Sequence, residues 1–366
     1  MWVLLPFLVG FGGVIYVKLY KRKLKEHQGA VEHQGAVEHQ GTVEHQGAVP
    51  LHHIPIKGMS LDKPQSLLVN EMYNGSGLGN QLACYVLTRV LALDKGFDFA
   101  IMNSYKFKMP TYMKLDFGKK VSGGYSEAEG APPIILPDGI DYYFKEKVTR
   151  LPNGSDISID DPLLELVQAN TKIDGNFQSE NRIYHRKDEI KKWLQILPEK
   201  ETECLEFSSP NICIINFRGG EYAFVPHFFL NKTYWKNAVN RMLAINPNFE
   251  FVVITDDVKT AATFFPKFKV LHYDTEKDYT IIKNAYYLIL ANSSFPYFAT
   301  LTSDKIRYIL APKYWGRHNI SDGYWSCGYN IFRNHNYIDR ENNLFTYDEC
   351  VTEFNDWIKK NNEYYI

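Results

Sequence analysis

Residues 66–103, SLLVNEMYNGSGLGNQLACYVLTRVLALDKGFDFAIMN, decide the fold class of this chain. Within them, SLLVNEMY (66–73) and FDFAIMN (97–103) have the composition of buried strands. Between the two lie a glycine loop, GSGLGN (75–80), and a segment with helical apolar spacing at 80–96. A strand, a turn, a helix and a second strand in this order are typical of a parallel sheet, so the stretch predicts an α/β protein.

Apolar runs of strand length recur through the rest of the chain and alternate with helical segments. The clearest are NICIINF (211–217) and FEFVVIT (249–255), with a helix predicted between them at 232–245. The other predicted elements are strands at 172–177, 268–273, 287–292 and 306–312 and a helix at 179–197. This alternation predicts two Rossmann-like domains facing a cleft, with ligands outside the carboxyl ends of the strands.

The 366 residues divide into four parts by composition. The polar segment PEKETECLEFSSP (198–210) ends in proline and is typical of an inter-domain linker. The predicted parts are a transmembrane anchor at 1–20, a basic flank and stalk at 21–60, an N-terminal α/β domain at 61–200 and a C-terminal α/β domain at 201–366.

The overall composition is that of a globular protein and excludes some partners. The formal net charge is -1, so no basic field favours nucleic acid. The aromatic content of 15% suits a carbohydrate-binding surface, but an aromatic core is the preferred interpretation. Five cysteines without a CxxC pair disfavour a zinc site and a disulfide framework, which favours a reducing compartment.

The N-terminus has the composition of a membrane anchor. Residues 2–17, WVLLPFLVGFGGVIYV, carry no charge, and five Lys or Arg follow at 18–25. A helix of this length spans about 24 Å, close to a hydrocarbon core of about 30 Å. The absence of a basic segment before it favours a single-pass anchor over a signal peptide. The charge bias predicts that the following domains lie on the cytoplasmic side, with the Golgi lumen as the alternative.

Four tandem copies of EHQGAV or EHQGTV occupy residues 26–49. A period of six fits neither a helix nor a strand, and each copy carries too little apolar surface to form a core. The repeats therefore predict a flexible stalk between membrane and domains. Their histidines could bind a metal, but a solvated repeat is preferred; they are His27, His33, His39 and His45.

The chemistry-bearing residues follow the predicted strands. The loop GSGLGN (75–80) resembles a dinucleotide-binding loop but carries Asn80 where that motif needs its third glycine, which disfavours an NAD-dependent oxidoreductase. After the strand 211–217 comes Arg218, whose planar fork suits a diphosphate, beside two glycines that permit close backbone approach. A structural ion pair between Arg218 and Glu221 is the alternative interpretation.

Two further strand ends complete the set. ITDD (254–257) offers carboxylates to a base or a ribose, or alternatively a helix cap. In NSSFPYF (292–298), Ser293 and Ser294 are predicted to begin a helix, whose N-terminus favours an anion. Arg218 and this serine pair are two complementary contacts for phosphate, and they predict a nucleotide diphosphate. The absence of a P-loop motif disfavours a Walker-type kinase or ATPase. Apart from Asp256–Asp257 no DxD-like metal pair is evident, which is consistent with a metal-free site in which arginine and backbone N–H groups hold the charge.

At these residues the chain resembles glycosyltransferase family 11, the α-1,2-fucosyltransferase-like enzymes, as a divergent member. The similarity runs in the same order over roughly residues 66–315. The matching stretches are GSGLGNQLACY (75–85) with G-x-L-G-N-Q, GNFQSE (175–180) with GYFQSE, INFRGGEY (215–222) with H-x-R-R-G-D-Y, VVITDD (252–257) with a strand ending in S-D-D, and NSSFPYFATL (292–301) with NSSFSWWxAxL.

The resemblance implies a two-domain GT-B transferase that binds GDP-fucose or a related GDP-sugar, without metal, mainly through its C-terminal domain. Arg218 would hold the β-phosphate, and Asp256 would lie near the guanosine. The donor-side residues it implies are Asn216, Arg218, Gly219, Gly220, Asp256, Asp257, Asn292, Ser293, Ser294 and Phe295. The N-terminal domain would face an oligosaccharide acceptor through Gly77, Gly79, Asn80, Gln81, Gln178 and Ser179.

Three positions depart from the family pattern. Where the family pattern has a histidine, this chain has Asn216. It has Gly219 in place of the second arginine and Glu221 in place of the aspartate. The predicted function is a membrane-anchored inverting fucosyltransferase-like enzyme, with Arg218 and Glu221 as catalytic residues, Glu221 serving as general base or orienting Arg218. The alternatives are a transferase using another GDP-sugar and a non-catalytic glycan- or nucleotide-binding protein on a membrane stalk.

Overall fold

The computed structural model describes residues 9–10, 13–14, 66–122, 136–150, 156–158, 160–320 and 330–361. Of the predicted anchor, only two short antiparallel strands are described, β1 (Val9–Gly10) and β2 (Gly13–Val14). The rest of the anchor and the stalk lie outside the described residues. Across the described ranges, no helix has both the length and the apolar character that a membrane span requires.

The predicted strand–turn–helix–strand unit is confirmed in the N-terminal domain. β3 (Leu67–Glu71) leads through the glycine loop into α1 (Leu78–Lys95), and β4 (Asp98–Met102) pairs parallel with β3. The domain also contains β5 (Tyr142–Lys145), a separate hairpin of β6 (Val148–Arg150) and β7 (Asp156–Ser158), and β8 (Thr171–Asp174). Among the described residues the parallel sheet has the order β4–β3–β8–β5.

The segment between the two sheets differs from its prediction. Instead of one helix over 179–197, it forms α2 (Glu180–Ile183), a 3₁₀ turn and α3 (Lys187–Trp193). The tighter turn keeps both Ile183 and Ile190 in the core. The predicted linker at 198–210 contains α4 (Pro198–Thr202) and is packed against the protein.

The C-terminal half of the chain is an alternation of strands and helices, as predicted. Its described elements are β9 (Ile212–Phe217), α5 (Lys232–Ile245), β10 (Glu250–Thr255), α6 (Val258–Phe264), β11 (Lys269–Leu271), α7 (Thr275–Lys283), β12 (Tyr287–Leu290), α8 (Tyr297–Leu301), β13 (Tyr308–Pro312), β14 (Asn336–Ile338), β15 (Leu344–Phe345) and α9 (Tyr347–Lys360). Within these ranges the order is β11–β10–β9–β12–β13–β14–β15, parallel except for the last pair.

The central strands are continuously apolar because helices cover both faces of the sheet. Aromatic rings fill much of this core, as preferred from the composition. The ring of Phe217 lies 5.2 Å from that of Trp235, 5.2 Å from that of Phe264 and 5.7 Å from that of Phe265, measured between centroids. These aromatic residues therefore stabilise the fold and do not form a binding surface.

Each sheet has one point at which its strand order reverses, and such points leave a crevice at the carboxyl edge. In the N-terminal sheet it lies between β3 and β8, and in the C-terminal sheet between β9 and β12. The start of α1 touches the loop after β12, since a Cβ added to Gly79 would overlap the backbone carbonyl of Ser294. The two crevices therefore open into one space between the two sheets.

Candidate functional site

A cleft of about 270 Å³ lies between the two reversal points. Eleven of the sequence-predicted residues line it: Gly77, Gly79, Asn80, Gln178, Asn216, Arg218, Glu221, Asp256, Ser293, Ser294 and Phe295. The remaining predicted residues support its walls or lie behind them: Gln81, Ser179, Gly219, Gly220, Asp257 and Asn292.

Arg218 is the central cation of the cleft. It follows β9 directly, and its guanidinium bonds one carboxylate oxygen of Asp256 and, at 2.7 Å, Oε1 of Glu221. Its Cζ lies 5.2 Å from the centroid of the Tyr222 ring. Burial alone would lower the pKa of Arg218, but the two carboxylates outweigh it and raise the pKa above its usual value. The fork is thus charged and held in one orientation.

The sequence left two roles open for the aspartates of ITDD, a ligand-binding carboxylate and a helix cap, and in the structure each aspartate fits one of them. Asp256 accepts a hydrogen bond from the N–H of Gly219 (2.9 Å) and pairs with Arg218. Asp257 is the N-cap of α6, because its side chain accepts from the N–H of Thr260 at 3.0 Å. Asp257 was predicted on the donor side, but the structure places it as a helix cap away from the cleft lining.

The glycines after Arg218 make room for these aspartates. A Cβ on Gly219 would lie 2.6 Å from Cβ of Asp257, and one on Gly220 would lie 2.8 Å from Oδ2 of Asp256. Gly220 also has a positive φ of 46°, which favours glycine. The sequence predicted that these glycines let the backbone come close to a diphosphate. In this structure the groups that lie close to them are the side chains of Asp256 and Asp257.

Gly219→Arg, which introduces the family's second arginine, is expected to destabilise the protein instead of strengthening nucleotide binding. The cause is the overlap with Asp257, and overpacking typically costs about 1–3 kcal/mol. Urea unfolding and GDP calorimetry measure the two effects. Gly219→Ala is the matched control, because it shares the Cβ but not the charge. Tighter GDP binding by the arginine variant would contradict the expectation.

Asn80 connects the N-terminal and C-terminal halves of the chain at the cleft. Its Oδ1 accepts from Nε2 of Gln178 (2.6 Å) and from Oγ of Ser294 (3.0 Å). Because both neighbours donate to the oxygen, the amide orientation is fixed. Its NH₂ group is therefore turned away from these donors and is available to an acceptor atom on a ligand.

Gln81 was predicted to face the cleft, but the structure turns it inward. Its Nε2 donates to the carbonyl of Lys106, and its Oε1 accepts from the N–H of Lys108, both at 2.9 Å. This clamp positions Lys108, which lines the cleft and was missed from the sequence. Partial burial and the charge of Arg218 lower the pKa of Lys108, with Glu221 opposing them. Lys108 therefore adds a second basic side chain to the cleft lining, near enough to Arg218 to interact with its charge.

The serine pair does not begin a helix. The helix α8 starts at Tyr297, so the prediction that the serines form its N-terminus is wrong, although both serines line the cleft. The N–H of Ser293 bonds the carbonyl of Ala291 (2.9 Å), which keeps the chain in a non-helical turn. Asn292 is buried behind this turn, where its Nδ2 donates to two backbone carbonyls. It shapes the loop rather than lining the cleft.

Glu146 anchors the GNFQSE loop, a role that no motif in the sequence indicates. Its carboxylate accepts from the N–H groups of Asn176 (3.0 Å) and Phe177 (3.2 Å), which carry the chain toward Gln178 in the cleft. Phe177 has a positive φ of 46°. Burial raises the pKa of Glu146 to about 7, with the two backbone donors opposing it. Ser179 lies beyond the loop and donates to Asp160 at 2.9 Å, outside the cleft.

Folding stability is expected to decrease as pH rises from the ordinary Glu146 value of 4.5 to about 7. In this window the folded state binds the proton more tightly than the unfolded state, so deprotonation favours unfolding. The slope is at most about 1.4 kcal/mol per pH unit. Urea unfolding at several pH values measures it, and Glu146→Gln is expected to remove this component. An NMR titration that places the Glu146 carboxyl near 4.5 would rule the effect out.

A His–Asp pair on the C-terminal wall was also missed. Nδ1 of His272 lies 2.8 Å from Oδ2 of Asp278, and the N–H of Tyr273 donates to Oδ1 at 3.2 Å. Burial raises the pKa of Asp278 to about 6, with His272 opposing it. Both residues line the cleft. The sequence prediction ran the strand to Tyr273, but β11 ends at Leu271, so His272 directly follows its strand as Arg218 directly follows β9.

Asn216 lies one residue before the end of β9. It is buried and lines the cleft. Its Oδ1 has no hydrogen-bond partner in the part of the chain that the structure describes. Since an unpaired buried acceptor is costly, this oxygen suits a ligand hydroxyl or N–H group.

Comparison with known proteins finds likeness only among solved structures. No protein-family model matches the chain, and no curated protein does. NodZ, an alpha-1,6-fucosyltransferase soaked with GDP-fucose, is 13% identical over 67% of this chain and 94% of its own, with a TM-score of 0.39; NodZ is from Bradyrhizobium. POFUT1 in complex with GDP is 12% identical over 68% and 98%, with a TM-score of 0.37.

A glycosyl transferase family 9 protein from Veillonella parvula DSM 2008 is 11% identical over 72% of this chain and 84% of its own, with a TM-score of 0.38. All three TM-scores are below 0.5. The functional proposal therefore rests on the residues of the cleft.

Proposed function

We propose that this protein is an inverting glycosyltransferase that transfers fucose, or a related sugar, from a GDP-sugar to a sugar hydroxyl. The observation that carries the proposal is the convergence of Arg218, Ser293, Ser294 and Asn80 on one cleft between two parallel sheets. A diphosphate needs several donors converging from different chain segments, and this cleft supplies them. The resemblance to glycosyltransferase family 11 names the sugar and the nucleotide.

In this mechanism the acceptor hydroxyl attacks the anomeric carbon while the C–O bond to GDP breaks, and GDP departs with the bonding electrons. Arg218 and Lys108 stabilise the charge on the departing diphosphate, and the Asn80 amide adds a neutral donor. Glu221 orients Arg218 through its 2.7 Å bond. Its second oxygen remains the candidate to accept the proton of the acceptor hydroxyl.

A non-catalytic glycan- or nucleotide-binding protein is the second candidate, and one observation favours it. The cluster around Arg218 contains one cation and two carboxylates, Asp256 and Glu221, so its formal charge is -1 before any ligand binds. The second arginine of the family is replaced by Gly219. GDP binding without transfer to any acceptor would support this candidate.

Calorimetry of the full-length protein with GDP, GDP-fucose and GDP-mannose, with and without EDTA, tests the donor site. Binding of GDP that does not change with EDTA is the expected result. Release of GDP from GDP-fucose in the presence of an oligosaccharide acceptor then tests transfer. NAD(H) binding without GDP binding would favour the oxidoreductase interpretation, and binding of neither nucleotide would contradict the proposal.

We further propose that the protein is a single-pass membrane protein, with its domains on the cytoplasmic side and the Golgi lumen as the alternative. The support is the uncharged stretch at 2–17 and the basic residues that follow it. Protease protection of the domains in sealed microsomes separates the two orientations, because only luminal domains are protected.

A further inference from the structure

A small cavity of about 20 Å³ lies behind the serine turn of the cleft. It separates the turn after β12 from the segment that leads into β14. Three side chains that line it are buried, with exposed fractions of 2% for Asn292, 3% for Asn330 and 5% for His335. In the part of the chain that the structure describes, Asn292 Oδ1, Asn330 Oδ1 and His335 Nδ1 have no hydrogen-bond partner.

The orientation of Asn292 is fixed by its other atom. Its Nδ2 donates to the carbonyl of Phe228 at 2.9 Å and also to the carbonyl of Trp315. An amide nitrogen that makes two such bonds leaves the oxygen on the opposite side as an acceptor. Asn292 therefore presents an acceptor to the cavity, and the unpaired Oδ1 of Asn330 is a second acceptor.

His335 is neutral at physiological pH, because burial lowers its pKa to about 3. A neutral imidazole carries its proton on one nitrogen only. If the proton is on Nδ1, the cavity has two acceptors and one donor. A water molecule has two donors and can accept at least one hydrogen bond, so its hydrogen-bonding capacity matches this set.

We propose that this cavity binds one ordered water, which donates to Asn292 Oδ1 and Asn330 Oδ1 and accepts from His335 Nδ1–H. The cavity volume of about 20 Å³ exceeds the ~10–15 Å³ that one water needs, and three polar partners are the usual number for a buried water. A monovalent cation fits less well, because no Asp or Glu is present among the described residues that line the cavity.

The water would hold the turn that carries Ser293 and Ser294 in position at the cleft. Asn292 directly precedes Ser293 and Ser294, and Trp315 also lines the cleft. The water links this turn by hydrogen bonds to the segment that carries Asn330 and His335. Neither of these two residues lines the cleft. The inference concerns the architecture of the loop and holds whichever ligand the cleft takes.

A crystal structure at high resolution, with ¹⁵N NMR of the His335 ring, tests the inference. The expected result is one peak about 2.7–3.2 Å from all three atoms and a ring protonated at Nδ1. A dry cavity would overturn the proposal. A ring protonated at Nε2 would also do so, and a peak with that tautomer would indicate a cation instead.

His335→Phe is expected to remove the water peak and to lower the Tm by a few degrees. His318→Phe is the matched control. His318 is equally buried and neutral, with its pKa lowered to about 4, and both its ring nitrogens lack partners among the described residues, but it does not line the cavity. The control is expected to keep the water. Loss of the peak in the control, or its survival in His335→Phe, would contradict the assignment.

Discussion

Arg218→Ala is expected to weaken GDP binding by on the order of 100-fold or more and to lower transfer by at least the same factor. The side chain is the only arginine among the described residues that line the cleft. Truncating one partner of a hydrogen-bonded charge pair costs about 2–5 kcal/mol, and a tenfold change in affinity corresponds to about 1.4 kcal/mol. The substitution also leaves the carboxylates of Asp256 and Glu221 unpaired, and they would then repel the diphosphate.

The chain offers a matched control in Arg182. Its guanidinium also pairs with two carboxylates, those of Asp160 and Glu165, but it does not line the cleft. Arg182→Ala is therefore expected to reduce stability without changing GDP affinity. Calorimetry on both variants, with circular dichroism to verify folding, separates the two effects. Equal loss of GDP affinity in both variants would mean that Arg218 acts on the fold and not on the nucleotide.

Arg218→Lys refines the same test. Lysine keeps the charge but loses the planar fork that pairs with two oxygens at once. If the fork contacts the diphosphate, the lysine variant should lie between the wild type and the alanine variant in GDP affinity. If Arg218→Lys binds GDP as tightly as the wild type, the positive charge alone accounts for the contribution of Arg218 to GDP binding.

The main features of the fold and the edge that holds the site were predictable from the sequence. Continuous apolar runs such as 211–217 and 249–255 identify strands buried on both faces, and their alternation with helical segments fixes a parallel sheet. The residues that follow such strands lie at one edge. Arg218, Asp256 and Ser293 each follow such a strand, and all three line the cleft.

Residues positioned by a loop could not be found in this way. Lys108 reaches the cleft because Gln81 clamps its backbone, and this contact joins residues with no common pattern in the sequence. The division of roles between Asp256 and Asp257 depends on which carboxylate meets the N–H of Thr260, a matter of backbone geometry. For the same reason the sequence could not show that the helix after Ser294 begins only at Tyr297.

Gly79→Ala is expected to destabilise the protein by about 1–3 kcal/mol and to loosen the contact between the two domains. Gly79 lies in the first turn of α1, where alanine has the higher helix propensity by up to about 1 kcal/mol, so the local effect alone would be stabilising. The new Cβ, however, would overlap the carbonyl of Ser294 and lie 2.7 Å from its Oγ. The backbone cannot move aside as a flexible side chain can. The clash therefore outweighs the gain in helix propensity, and the net effect on stability is a loss.

Gly77→Ala provides the comparison for Gly79→Ala within the same loop. A Cβ on Gly77 meets nothing within 4 Å, and its φ of -69° suits any residue, so its stability should stay within about 1 kcal/mol of wild type. Urea unfolding of the two variants measures the difference. If Gly79→Ala is as stable as Gly77→Ala, the start of α1 and the Ser294 turn are not in contact in solution. The cleft would then be wider, and Asn80 could not accept the Ser294 hydroxyl while presenting its NH₂ group to a ligand.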